Sequence, residues 1–166
     1  MIKIFKASLL KSKTFMRQYE IDSDITLFDL HTFLQNDLAF SPDQMAIFKG
    51  LDDHGKPVST YGLFDMGNGS MDSVSIDDLI LKSENDFRYI FDLKHNTFLE
   101  FKFIKDTDFK SRTSYPRLIA EKGINPNQFS GKYEDVAEIL FDSDTEAIDE
   151  TEIDKDYIKE SGSEEM

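Results

Sequence analysis

Residues 2–10 alternate between two apolar sets, with Ile2 and Ile4 on one side and Phe5, Ala7 and Leu9 on the other. A strand partly buried on both faces has this pattern. Leu10-Lys11-Ser12-Lys13 is a connection of hairpin length. From 14 to 21 the alternation resumes, Phe15, Arg17, Tyr19 and Ile21 sharing one face and Met16, Gln18 and Glu20 the other. The two runs predict an N-terminal β-hairpin. Asp22-Ser23-Asp24 then offers a helix N-cap, and Leu27, Leu30, Leu34 and Leu38 recur at helical spacing, with Phe33 widening the stripe. A helix over 25–38 is expected, its leucines packed on the hairpin.

Met45-Ala46-Ile47-Phe48 reads as a short strand, and Val58 to Tyr61 as a short edge strand within a loop-rich stretch over 51–74. Ser75, with Asp78 three residues on, has the spacing of a capping box. Phe87 to Leu93 and Phe98 to Ile104 alternate around a Lys94-His95-Asn96 turn, predicting a second hairpin at the centre of the sheet. Residues 106–132 are polar and irregular, and Val136, Ile139 and Leu140 predict a short helix over 133–141. The fold class is therefore α+β: a mixed, mostly antiparallel sheet of two hairpins, one main packed helix in a β-grasp-like order, and a short C-terminal helix.

Composition divides the chain at residue 141. The net charge is −14, from 33 acidic and 19 basic residues. Residues 142–166 hold 11 acids and two lysines, a charge of −9, which leaves −5 for residues 1–141. A folded domain over 1–141 and an acidic, disordered tail over 142–166 follow, because sparse apolar residues and dense like charge do not support a core. The 15 phenylalanines rule out disorder throughout. There is no cysteine, which removes disulfides, thiol nucleophiles and thiolate metal sites. The N-terminus lacks a signal-peptide core, and no apolar run has membrane-spanning length, so the expected location is cytoplasmic.

Several segments in series carry a resemblance. Phe15-Met16-Arg17, Ile25-Thr26-Leu27-Phe28-Asp29-Leu30-His31, Phe40 and Gln44-Met45-Ala46-Ile47-Phe48 come first. Phe87-Arg88-Tyr89-Ile90-Phe91-Asp92-Leu93, Tyr115-Pro116, Pro126 and Gly131-Lys132-Tyr133-Glu134 follow in the same order. Together they resemble the plasmid ORF-3-like family over about residues 2–141. The chain reads as a divergent relative. Lys94-His95-Asn96-Thr97 stands where the family usually has Gly-Asp-x-Trp, and Gln128-Phe129-Ser130-Gly131 where it has Glu-Asp-x-Gly-Gly. The resemblance implies a link to mobile elements and brings no activity with it.

Chemistry-bearing residues are few. His31, His54 and His95, set beside Asp52, Asp53 and Asp92, lack metal-ligand spacing and are read as structural or solvent-facing. Asp142, Asp144 and Glu146 imitate a calcium loop, but Ala147 and Ile153 occupy its diagnostic glycine and glutamate positions. A recombinase would need clustered arginines around a nucleophilic serine, and Arg17, Arg88, Arg112 and Arg117 are not so arranged. No phosphate-binding glycine loop or nucleophile elbow is present. Arg17, Tyr89 and Asp92 are candidates for a ligand cleft on the sheet, although a structural Arg–Asp pair is the favoured reading. Lys102 and Lys105 between phenylalanines have the pattern of a basic-aromatic nucleic-acid surface and equally of a half-exposed strand.

The sequence thus predicts a non-catalytic interaction or regulatory accessory protein without cofactor or metal, its acidic tail offered to a protein partner. Nucleic-acid binding is the first alternative and a small-ligand binder or degenerate enzyme the second.

Overall fold

The computed structural model describes residues 1–129. Ten elements follow one another: β1 (Ile2–Leu9), β2 (Ser12–Asp22), α1 (Leu27–Asp37), β3 (Ile47–Leu51), β4 (Pro57–Tyr61), a 3₁₀ turn (Met71–Ser73), α2 (Ile76–Leu81), β5 (Asp86–Asp92), β6 (Thr97–Thr107) and β7 (Arg117–Lys122). The strands form one seven-stranded sheet in the order β4-β3-β5-β6-β1-β2-β7.

Every strand pairing among the described residues is antiparallel. The sheet is therefore not mixed. The grasp-like order is not formed either, because β1 meets β6 antiparallel at the centre. The cause is local: each hairpin turns back on itself, and β1 joins the two hairpins by pairing with β2 on one side and β6 on the other. The helix expected over 133–141 and the acidic segment 142–166 lie outside the described residues.

Alternation gives the sheet two different faces. The inner face carries Phe5, Ala7, Arg17, Tyr19, Phe48, Phe87, Tyr89, Leu99 and Phe101, all buried. Phe87 and Phe101 stack with centroids 4.8 Å apart, and Phe5 meets Phe87 edge-on at 5.3 Å. α1 crosses this face. Leu27, Leu30, Leu34 and Leu38 are buried beneath it, each contributing about 1.5–3 kcal/mol. Leu30→Asp would place a charge at the centre of that contact. The helix starts two residues later than the sequence indicated: Thr26 caps it, in a reciprocal box with Asp29. Asp22 instead ends β2. Ser75 and Asp78 form the expected box on α2.

The stretch over 106–132 is not irregular throughout. β6 runs on to Thr107, and Arg117–Lys122 pairs with β2 as the seventh strand. Gly123 ends that strand at a positive φ of 79°, and a Cβ there would lie 2.5 Å from the Thr14 carbonyl oxygen. No other residue type fits so close to a neighbouring backbone.

Candidate functional site

Arg17, Tyr89 and Asp92 are all drawn into the fold. Arg17 is 2% exposed. It donates to the carbonyls of Met16 (2.8 Å), Lys122 (2.7 Å) and Gly123 (3.0 Å) and to Asn125 Oδ1 (2.8 Å). Its guanidinium also lies 4.4 Å from the Phe15 ring centroid. The group fastens β7 and the chain leaving it to β2.

Tyr89 shares a 2.8 Å hydrogen bond with His31 Nδ1 under α1. Burial pushes the phenol pKa well up and the His31 pKa down. Asp92 closes the β5–β6 turn, accepting from the His95 amide (3.2 Å) and pairing with His95 Nδ1 (2.8 Å). Tyr89 and Asp92 share a strand, whereas β6 and β1 separate them from Arg17. Among the described residues no hydrogen bond or ion pair of one of the three reaches another.

A fourth buried polar group lies at the β4 edge. Glu84, 4% exposed, accepts from Ser59 Oγ and Tyr61 Oη, both at 2.7 Å. Lys82 Nζ lies 3.7 Å from the carboxylate and 4.8 Å from the Tyr61 ring centroid. The carboxylate fits because residue 50 has no side chain: a Cβ on Gly50 would meet Glu84 Cδ at 2.6 Å. A glycine inside a strand is the sequence signal for such a close approach. The sequence alone assigned no role to Gly50 or Glu84.

Beside this edge the β3–β4 turn and the start of β5 enclose a cavity of about 350 Å³. Asp52, His54, Asp86, Glu100 and Lys102 line it. Asp52 Oδ1 accepts from the Lys56 (2.9 Å) and His54 (2.8 Å) amides, which hold its pKa below the usual carboxylate range, the Lys56 amide most. Asp86 caps the Phe103 amide at 2.9 Å. Among the described residues no group of three His, Cys, Asp or Glu is placed to hold a metal ion, and no helix is long and apolar enough to cross a membrane.

Two surface features lie outside these buried clusters. On the outer sheet face, register places Lys49, Arg88 and Glu100 side by side across β3, β5 and β6. The same row continues through Ser8 and Met16 to Lys122. In the next row Lys102 lies opposite Lys6. Phe101 is directed inward, so lysines and core phenylalanines of β6 occupy opposite faces; Phe98 faces outward, its ring 4.5 Å below the Arg88 guanidinium.

The second feature is the loop after β4, which holds Phe64 at 78% and Met66 at 59% exposure, with Leu63 beside them. Its backbone is braced. Asp65 Oδ1 accepts from the amides of Gly67 (2.8 Å) and Gly69 (3.1 Å), and Asn68 Oδ1 accepts from Thr60 N (3.0 Å).

Residues 3–160 match the family model described as plasmid pRiA4b ORF-3-like protein. A crystal structure of a protein of unknown function from Methanosarcina mazei Go1 superposes with a TM-score of 0.70. The two share 20% sequence identity, over 87% of this chain and 84% of that one. No curated protein matches.

Proposed function

The chain belongs to the plasmid pRiA4b ORF-3-like family, and from that premise we propose that it is a cytoplasmic, non-catalytic interaction module of accessory or regulatory type. The observation that carries this reading is the braced loop after β4. Large apolar side chains cost free energy in water, yet Leu63, Phe64 and Met66 are exposed in a loop whose Gly67 and Gly69 amides are bonded to Asp65. An ordered exposed apolar cluster of this kind is the centre of a protein interface, because little ordering entropy remains to be lost on docking. The acidic segment 142–166, at −9, adds an arm suited to a basic region of the same partner.

The test uses full-length protein as bait in lysate of the native host, beside the variant F64D/M66S. These positions are exposed, so the variant keeps its thermal midpoint. A protein retained by the native chain and lost with the variant is the expected result. An unchanged set of captured proteins would overturn the proposal.

A further inference from the structure

The outer face of the sheet has a charge opposite to that of the chain. The protein has 33 acids to 19 bases, so an average lysine has acids near it. On this face Lys49 lies beside Arg88, and Lys102 beside Lys6. Lys6, Lys49 and Lys122 make no ion pair within the described residues. Glu100 stands among them, shared between Arg88 at 3.2 Å and Lys102 at 3.8 Å, and Asp86, two residues before Arg88 on β5, lines the same cavity as Lys102. Glu20, a further acid on this face, is neutralised by Arg117 at 2.6 Å. Lys6, Lys49, Arg88, Lys102 and Lys122 thus outnumber the acids on this face.

Their arrangement narrows the ligand. They form a strip running across the strands from β3 to β7, five strand-to-strand steps, or about 24 Å at the usual spacing. A strip of that length suits an extended polyanion better than a single small anion. Lys6 and Lys102 lie exposed on inner strands of the sheet, whereas peptides dock on sheet edges or in grooves. It also holds a flat stacking element, the Arg88 guanidinium lying over Phe98. Cations tracking a backbone beside a planar group that accepts a base are the recognition chemistry of unpaired nucleic acid.

We propose that the outer sheet face binds single-stranded nucleic acid, with Lys6, Lys49, Lys102 and Lys122 on the phosphates and Arg88 under a base. Four phosphate contacts give a log–log salt slope of about −3, so affinity falls about 50-fold between about 50 and about 200 mM salt.

The experiment is fluorescence anisotropy of the full-length chain with labelled oligothymidylate and oligouridylate, against a duplex of equal length and a polyglutamate peptide. K6E/K49E/K102E abolishes saturable binding. K11E/K13E/K56E changes net charge equally but lies in or beside hairpin turns, and retains it. R88K keeps the charge, loses the planar platform and weakens binding about tenfold. If the charge-reversed variant unfolds, K6Q/K49Q/K102Q gives the same readout. Four results would each overturn the proposal: no saturable binding at low salt, equal loss in the turn variant, equal affinity for the duplex, or preference for polyglutamate. None of them bears on the Phe64 loop, whose variant leaves all these lysines in place.

Discussion

Gly50→Ala tests whether the Glu84 carboxylate is held by the absence of a side chain opposite it. The new Cβ collides with the carboxylate, whose Cδ stands 2.6 Å away. Backbone strain does not enter, since Gly50 is not among the glycines with positive φ. Displacing the carboxylate breaks its bonds to Ser59 and Tyr61. Hydrogen bonds to a charged group contribute about 1.5–3 kcal/mol each. Side-chain relaxation recovers part of that, so Gly50→Ala costs about 2–3 kcal/mol. Glu84→Ala costs about 3 kcal/mol, because two largely buried hydroxyls lose their acceptor. In the Glu84→Ala background the added methyl meets no carboxylate, and alanine is preferred to glycine in a strand by about 0.5–1 kcal/mol. The double-mutant cycle therefore shows a coupling of about 2.5–4 kcal/mol. The assay is urea unfolding followed by far-UV circular dichroism, with m unchanged across the four proteins. Tyrosine emission gives a second probe, since the chain has six Tyr and no Trp. An equal cost of Gly50→Ala in both backgrounds would refute the reasoning.

Two further outcomes follow from the buried polar groups. Arg17→Lys keeps the charge but cannot serve four acceptors in different directions; it lowers stability by about 2–4 kcal/mol, and native-state hydrogen exchange locates the loss by faster exchange at Leu118 and Ala120 than at β5 amides. His31 has its pKa lowered in the fold from 6.5 by burial, so the unfolded chain binds the proton more tightly. That contribution is complete above about pH 6.5 and is lost as pH falls toward the folded value. Stability measured by urea unfolding declines over that interval in the native protein, and His31→Gln removes this part of the decline; an unchanged slope would show that another group carries it.

Much of the sheet was legible because its inner face alternates strictly. Phe15, Arg17, Tyr19 and Ile21 were assigned to one face by period alone, and all four are buried. The leucine stripe of α1 was equally plain. β7 was missed because its apolar content is Leu118, Ile119 and Ala120 between charged ends. An edge strand buries little, so its sequence carries little pattern. What fixes it is the Arg17 side chain, a contact made across more than 100 residues of sequence. The helix start was misplaced because Asp22-Ser23-Asp24 and Thr26 are all competent caps. The reciprocal bond to Asp29 selects Thr26.

The candidate site was less legible than the fold, for a physical reason. Arg17, Tyr89 and Asp92 were chosen because polar groups on apolar strands are costly unless they act. Each does act, but on the chain itself: Arg17 on the β7 exit, Tyr89 on α1 through His31, and Asp92 on its own turn. Glu84 does the same for β4 and for the segment linking α2 to β5. Tyr89 and Glu84 thus tie segments outside the sheet ladder to it, whereas Arg17 and Asp92 reinforce strand pairs that the ladder already joins. Function then falls to groups the fold leaves outward. Those are positions with no individual signal in the sequence: an exposed lysine on a strand, or a phenylalanine in a glycine-rich loop, has the composition of ordinary surface. Only strand register brings Lys49 beside Arg88 and Lys6 beside Lys102, and only the Asp65 and Asn68 bonds order the loop on which Phe64 is exposed. The residues proposed for binding are therefore those whose neighbours, and not whose identities, distinguish them.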